Sequence, residues 1–534
     1  MTESPQIRQL TDGDSIFVSV ESLEAPSHIA GLALLDPSTS SSFCFERFLD
    51  NLSERIDLVP RFKWKLKEVP LGLDRAYWVE DPSFDARQHV RRVAVPKPGD
   101  RAALARLAGF LHGQPLDRSR PLWESWWIEG IEDDRVAILM KIHHSLMDGQ
   151  SGIGLTEVLM DLSPEPKHPA VPSEDMQDPP PRSPRVWEVA RRVVENGLRR
   201  QNRLAVHAGR AARDLMKYLN KTSYGPPAPK IPRASFNHRL SRQREFAFAT
   251  IPLEPLRNAK KHFNVKMNDI LLEIVSSTLR RGLRKMGDLP SRSLVALCPV
   301  SLRGPVDQSL GNQITSMPVT LATNLADPCA RLAAIRFSAE QAKRRAREGG
   351  FEILTALGES LPPAALQLVT RMLHSVSDRV PLPANLVFSN VRGLPIATYM
   401  AGARVEELYP MSMLQVANGM NVTAVTHDDQ VDFGFLVDPK LIPDPWIFAD
   451  GIAGALEELE LATADTLSRH AAAQEPPKVL ATEPKPESTN GAESSEPSEP
   501  ASSGPEIETE PDPLDLSLIM ASLDRTRSVL NEAV

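Results

Sequence analysis

Proline punctuation most limits how this chain can fold. Residues 163–184 hold eight prolines among acids and serines, and a second cluster runs from Pro226 to Pro232. Neither stretch continues a helix interior or a central strand, because proline lacks an amide donor and fixes φ. The chain therefore divides into an N-terminal region (1–165), a proline-rich linker with basic helices (166–235) and a second region (236–463). Residues 464–512 form a tail that is mostly proline, serine and glutamate from Gln474 to Asp512, too poor in apolar side chains to fold, and it is expected to be disordered. The last stretch, 513–534, reads as a short amphipathic helix with Leu516, Ile519, Leu523 and Leu530 near one face.

Both main regions mix period-2 and period-3.6 patterns. In the first, His28–Leu35 and Val136–His143 read as strands, and Phe45–Leu58 and Ala102–Leu111 as helices. In the second, the strand candidates are Phe246–Ile251, Leu294–Cys298 (stopped by Pro299), Asn385–Ser389, Met420–Thr426 and Gln430–Val437. Asp269–Met286 is its strongest helix candidate. Between the regions, Val186–Tyr218 reads as a surface helix pair.

Bulk chemistry narrows the function classes. The chain has 534 residues, 41% hydrophobic and 24% charged, with a formal net charge of −8. That balance argues against nucleic acid as the main ligand. Three distant cysteines, Cys44, Cys298 and Cys329, fit neither a disulfide framework nor a thiolate zinc site. The first thirty residues do not read as a signal peptide, and no apolar run is long enough to span a bilayer. The linker differs locally. From Arg182 to Lys221 eleven basic residues face Glu188, Glu195 and Asp214, a charge of +8. It reads as an interdomain bridge, as a basic face meeting an anionic membrane, or as both.

The sharpest chemical signal is Lys141-Ile142-His143-His144-Ser145-Leu146-Met147-Asp148-Gly149. Adjacent residues on a strand point to opposite faces, so one of the two histidines projects whichever face is buried. A histidine at a strand end is suited to accept a proton from a hydroxyl. Gly149 permits a sharp turn. No third ligand with zinc-type spacing is present, and the Gly149, Gly152, Gly154 run fits neither a Walker nor a dinucleotide loop. The chain has no G-x-S-x-G nucleophile elbow.

The HHxxxDG pattern resembles the signature of the CoA-dependent acyltransferase superfamily. Further segments, in order, resemble one branch of it, the bacterial wax ester synthase/diacylglycerol acyltransferases. Leu10–Phe17 resembles that family's N-terminal segment, with Gly13 and Ser15 departing from it. Pro121-Leu122-Trp123-Glu124, after Pro115–Arg118, looks like its PLW motif. Asn268-Asp269 resembles its ND motif, Pro299–Arg303 with Leu310–Asn312 its PVSLR…GN pattern, and Ser389–Gly393 its SNVPG segment, with Arg392 in the proline's place. The resemblance runs from about Leu10 to Thr463.

The resemblance implies an α/β (α+β) fold of two chloramphenicol-acetyltransferase-like halves, each a mixed sheet flanked by helices, with a tunnel between them. It implies His144 as general base beside His143, with Asp148 structural and paired to an arginine, Arg303 being the candidate. Gly149, Asn268, Asp269, Ser389, Asn390, Pro121 and Trp123 are the candidate substrate-binding positions. Asn268 equally fits a helix N-cap, and Trp123 a packing role. Acyl-CoA would be the co-substrate, with no bound cofactor and no metal. The acceptor would be a diacylglycerol or a fatty alcohol, reached from a cytoplasmic position peripheral to the inner membrane or lipid inclusions. Two alternatives stand beside this reading: a condensation-type enzyme using a carrier-bound acyl donor, and a catalytically silent lipid-surface scaffold.

Overall fold

A computed structural model describes residues 6–146, 159–165, 180–219, 231–301, 314–347, 360–379, 382–391 and 393–474. Its architecture is mixed α/β, built on two six-stranded sheets and a small three-stranded one. The first large sheet runs Thr398–Met400, Ala403–Met411, His28–Asp36, Val136–His143, Trp123–Glu129, Val90–Ala94. Its neighbours are antiparallel except the last pair. The second runs Ile314–Thr320, Val295–Ser301, Leu386–Val391, Met420–His427, Gln430–Val437, Glu245–Pro252, with Leu386–Val391 parallel to both its neighbours. Two strands late in the chain, Thr398–Met400 and Ala403–Met411, thus join the sheet built by the first region.

Alternation along the central strands sorts the core into layers. On His28–Asp36, Ala33 and Leu35 join one apolar cluster, while Leu32 and Leu34 join another. The second cluster also holds Phe246, Phe248, Tyr409 and Leu436, so it is the layer where the two halves meet. Close approach there requires Gly434, since a Cβ at that position would lie 1.9 Å from the Pro410 carbonyl oxygen. Asp432 seals the same seam, accepting from Thr250 Oγ1 at 2.6 Å and from the Leu408 amide at 2.9 Å. A third core fills the second half around Met267–Met286, which is buried along most of its length.

Most expected elements form within a residue or two of the pattern. Two differ. The Val295–Ser301 strand continues through Pro299 instead of stopping there. Its parallel ladder with Leu386–Val391 ends at Leu297, so one side of Pro299 carries no strand partner for the missing amide to deprive. The linker forms one helix, Val186–Leu219, not a pair. Its only strong breakers are Gly197 and Gly209, each costing about 1 kcal/mol relative to alanine, too little to end a helix of this length. The helix Gly451–Gln474 runs on through 464–474, residues assigned above to the disordered tail, because their alanine-rich stretch continues the helix in which Leu456 and Leu459 are buried; 475–512 and the 513–534 segment lie outside the described residues.

Candidate active site

The site is built at the end of Val136–His143, and two motifs hold that end in place. The register sets Glu124 opposite Lys141 and His28 opposite His143. Lys141 is fully buried; its Nζ lies 2.5 Å from Glu124 Oε1 and donates to the carbonyls of Leu111 and Gln114. Burial pulls the Lys141 pKa down, and Glu124 opposes that shift. The His143 amide donates to the Leu122 carbonyl and the His144 amide to that of Ser27, both at 2.9 Å. The segment Leu122–Glu124 thus fixes the backbone of the Lys141–His144 segment through one carbonyl and one buried ion pair.

His143 continues the face of Leu139 and Lys141, toward the layer between the halves, and is buried. Its Nδ1 accepts the Ser145 amide at 3.1 Å and lies 2.7 Å from Ser145 Oγ, which places the ring proton on Nε2. That Nε2 is 3.8 Å from the Glu21 carboxylate, itself held by Arg118 at 2.5 Å and by the Ser27 amide at 3.1 Å. Burial, then the Arg118 charge and then His144 lower the His143 pKa to about 3. The ring is neutral at physiological pH.

His144 opens a short 3-10 turn, His144–Leu146. Its imidazole is half-buried and stacks on Phe17, centroids 4.0 Å apart and planes 16° apart. Burial lowers its pKa to about 4, partly offset by a contact with its own backbone. Its Nδ1 is buried without a hydrogen-bond partner among the described residues. Phe17 comes from Asp12–Val20, a helix capped by Thr11, whose side chain accepts the Asp14 amide at 3.1 Å. A neutral imidazole on an apolar ring is a proton acceptor shielded from bulk water.

Comparison with known proteins decides what this geometry belongs to. Residues 10–271 match the wax ester synthase/diacylglycerol acyltransferase catalytic domain, and residues 310–460 match the WS/DGAT C-terminal domain. The chain belongs to the wax ester synthase/diacylglycerol acyltransferase family. Its activity is that of an acyltransferase. A Mycobacterium tuberculosis protein, Rv1760, named provisionally as a diacylglycerol O-acyltransferase, is 32% identical over 461 residues, 85% of this chain and 90% of that one. The O-acyltransferase WSD of Acinetobacter baylyi is 31% identical, covering 82% and 93%. The wax ester synthase/diacylglycerol acyltransferase of Marinobacter aquaeolei VT8 superposes with a TM-score of 0.61 at 26% identity, over 85% of this chain and all of that one. With both halves matched to one family, the condensation-type alternative is not favoured.

The remaining WS/DGAT motif residues fall in different places. Pro121 and Trp123 are buried beside the histidine strand. The Trp123 indole donates to the Phe62 carbonyl at 2.8 Å and stacks on His89, which is a packing role. Asn268 is the second residue of Met267–Met286, so it is not that helix's cap. The capping contact comes from Asp269, whose buried carboxylate accepts the Lys266 amide at 3.1 Å. Ser389 and Asn390 sit half-buried on Leu386–Val391, paired with Thr423 and Ala424. Among the described residues, no hydrogen bond or ring contact joins Asn268, Asp269, Ser389 or Asn390 to the histidines. Asp148, Gly149 and Arg303 lie outside the described residues. Sequence reasoning assigned no role to Phe17, Glu21, Ser145 or Arg118. Phe17, Arg118 and Ser145 stand inside the quoted motif segments, and that was the available signal.

Proposed function

We propose that this protein moves a fatty acyl group from acyl-CoA to the hydroxyl of a long-chain acceptor, a diacylglycerol or a fatty alcohol, with His144 as general base. The carrying observation is the His144 imidazole, held neutral by burial against Phe17 at the end of a pinned strand. With Nδ1 turned into the protein, Nε2 is the nitrogen assigned to the substrate. It takes the hydroxyl proton as the acceptor oxygen forms a bond to the thioester carbonyl carbon. Collapse of the tetrahedral oxyanion breaks the C–S bond, and the leaving thiolate takes the proton from the imidazolium. No acyl-enzyme is formed. Donors from Asn268, Ser389 or Asn390 are assigned to the oxyanion or to the walls of a tunnel between the halves. His143, bonded to Ser145 and facing the Glu21 carboxylate 3.8 Å away, orients the turn that carries His144. Asp148, paired with Arg303, would shape the loop that follows.

Both acceptor classes are insoluble, so the reading places the protein at a lipid surface, peripheral to the inner membrane or to lipid inclusions on the cytoplasmic side. No described helix is long and apolar enough to cross a membrane. The basic Val186–Leu219 helix is the supporting feature. It exposes Trp187, Val194 and Leu198, which recur at helical spacing. Arg200 does not belong to that outer face: it is buried in an ion pair with Asp74. The test is an assay of purified protein with palmitoyl-CoA and either a diacylglycerol or hexadecanol. Ester formation that disappears in His144→Ala supports the reading. No ester with either acceptor rejects it.

A further inference from the structure

Exposed large apolar side chains cluster on one helix of the second half. Helix Pro363–Ser375 turns Leu368 (59% exposed) and Met372 (60%) outward, with Val369, Leu373 and Val376 beside them. These positions, four apart and adjacent, make one face of a single helix. Next to it stands the Pro70–Gly72 turn, where a Cβ on Gly72 would lie 3.1 Å from Ala364. Leu71 in that turn is 84% exposed and left-handed, with φ at 58°. A leucine held in a glycine-favoured conformation only to face water is unfavourable twice over, which points to a function met outside water.

The same turn leads into a basic cleft. Arg200 of the Val186–Leu219 helix donates to the Leu73 carbonyl at 3.1 Å, and Asn196 and Gln9 donate to Asp74. Helix and N-terminal segment border a cleft of about 590 Å³, lined by Gln9, Thr11, Asn196, four arginines and two carboxylates, Glu188 and Glu195, of which Glu188 is held by Arg182. Two of the four are committed, Arg75 to Asp12 and Arg191 to Glu195. Arg192 and Arg199 have no salt-bridge partner among the described residues. They stand seven positions apart on one helix, so both face the cleft. Glu195 attracts both, but its carboxylate is bonded to Arg191, so these two guanidinium groups keep their donors for a phosphate.

We propose that this composite face docks the enzyme on an anionic phospholipid bilayer, with Leu71, Leu368 and Met372 entering the acyl layer and Arg192 and Arg199 receiving a lipid phosphate. An apolar ridge continuous with a phosphate cleft matches the two zones of a bilayer surface, whereas a protein partner would leave the guanidinium groups without a phosphate. The face also lies close to the chemistry. Helix Pro363–Ser375 packs on Asp12–Val20, the helix whose Phe17 covers His144. An acceptor leaving the bilayer here would arrive beside the base; this last step rests on the function proposed above.

Vesicle flotation with the full chain tests the docking. Phosphatidylcholine vesicles with and without phosphatidylglycerol are compared for wild type, Leu368→Asn/Met372→Asn and Arg192→Glu/Arg199→Glu. Wild type should float with the anionic vesicles. Each double variant should lose about tenfold or more of that binding. Both should keep wild-type thermal stability and wild-type turnover of a short-chain alcohol in solution, while turnover of vesicle-borne diacylglycerol falls. Wild-type flotation by both variants overturns the proposal. So does a wild-type dimer that Leu368→Asn/Met372→Asn makes monomeric without loss of flotation, which would assign the face to self-association. Inorganic phosphate protecting the Arg192/Arg199 cleft without any dependence on vesicle charge would assign it to free phosphate and likewise overturn it. Charge-dependent flotation by a protein that acylates nothing would sustain the docking and reject the catalytic reading.

Discussion

The Phe17 ring lies flat on the His144 imidazole, centroids 4.0 Å apart and 16° from parallel. One contact sets both the direction of the His144 ring and its shielding from water. It also ties the N-terminal segment to the histidine turn, since Asp12–Val20 packs on His144–Leu146. An aromatic pair of this kind contributes roughly 0.5–1.5 kcal/mol beyond area burial. Phe17→Ala should therefore lower kcat by about tenfold, with the larger share in kcat and not in KM. Phe17→Leu, which keeps an apolar cover, should retain more of the rate. Steady-state kinetics on both variants checks this, and equal rates for Phe17→Ala and wild type would reject it.

The two adjacent histidines should separate activity from stability. His144→Ala removes the proposed base and should cut turnover by about a hundredfold to ten-thousandfold, with little change in Tm, because its ring nitrogens hold no other described residue in place. His143 is buried and satisfies the Ser145 amide. His143→Ala leaves a void and an unpaired donor, and should cost about 2 kcal/mol of stability with a smaller loss of rate. Thermal melts beside initial rates make the comparison. A large Tm loss in His144→Ala and none in His143→Ala would invert the assignment.

The Glu124–Lys141 pair predicts an asymmetry. Lys141 has no exposure, whereas Glu124 is 15% exposed and also bonds Arg91 at 2.9 Å. Glu124→Leu strands a buried ammonium and should cost about 3 kcal/mol or more. Lys141→Met leaves a carboxylate that still has Arg91 and some water, and should cost less. Denaturant unfolding of the two variants measures the difference, and the opposite order would show that the carbonyls of Leu111 and Gln114, not Glu124, hold the amine.

How much of this was legible in the sequence depends on range. Val136–His143 and Gln430–Val437 form as patterned because alternation along one strand is a local property. The histidine pair was legible as chemistry for the same reason. What alternation does not give is which strand lies beside which. That Ala403–Met411 crosses into the first sheet depends on a pairing with His28–Asp36 more than 360 residues away in sequence. Phe17, Glu21 and Arg118 converge on the histidines only after the chain folds, so spacing alone assigned them nothing. The mistaken stop at Pro299 has the same origin, since proline is tolerated where a strand lacks a partner on one side, a fact of the sheet and not of the residue.

The pH dependence follows from burial. His144 titrates near 4 in place of its ordinary 6.5, so the base stays unprotonated well below neutrality. Turnover should be level from neutral pH down to about 5 and fall as the pH drops through about 4, where an unperturbed imidazole would already have lost activity near 6.5. Folding stability moves in the same direction. His143 and His144 are held neutral when folded, with pKa about 3 and about 4, and recover an ordinary pKa when unfolded. Between those values and 6.5 the unfolded chain binds more protons, so acid weakens the fold and neutral pH restores it. Circular dichroism at each pH separates the two effects, because a loss of rate without loss of structure belongs to the base. Phe17→Ala supplies the control: admitting water to the ring should raise the His144 pKa toward 6.5 and move the acid limb of the pH–rate profile upward. An acid limb already near 6.5 in wild type would show that His144 is not shielded in the working enzyme.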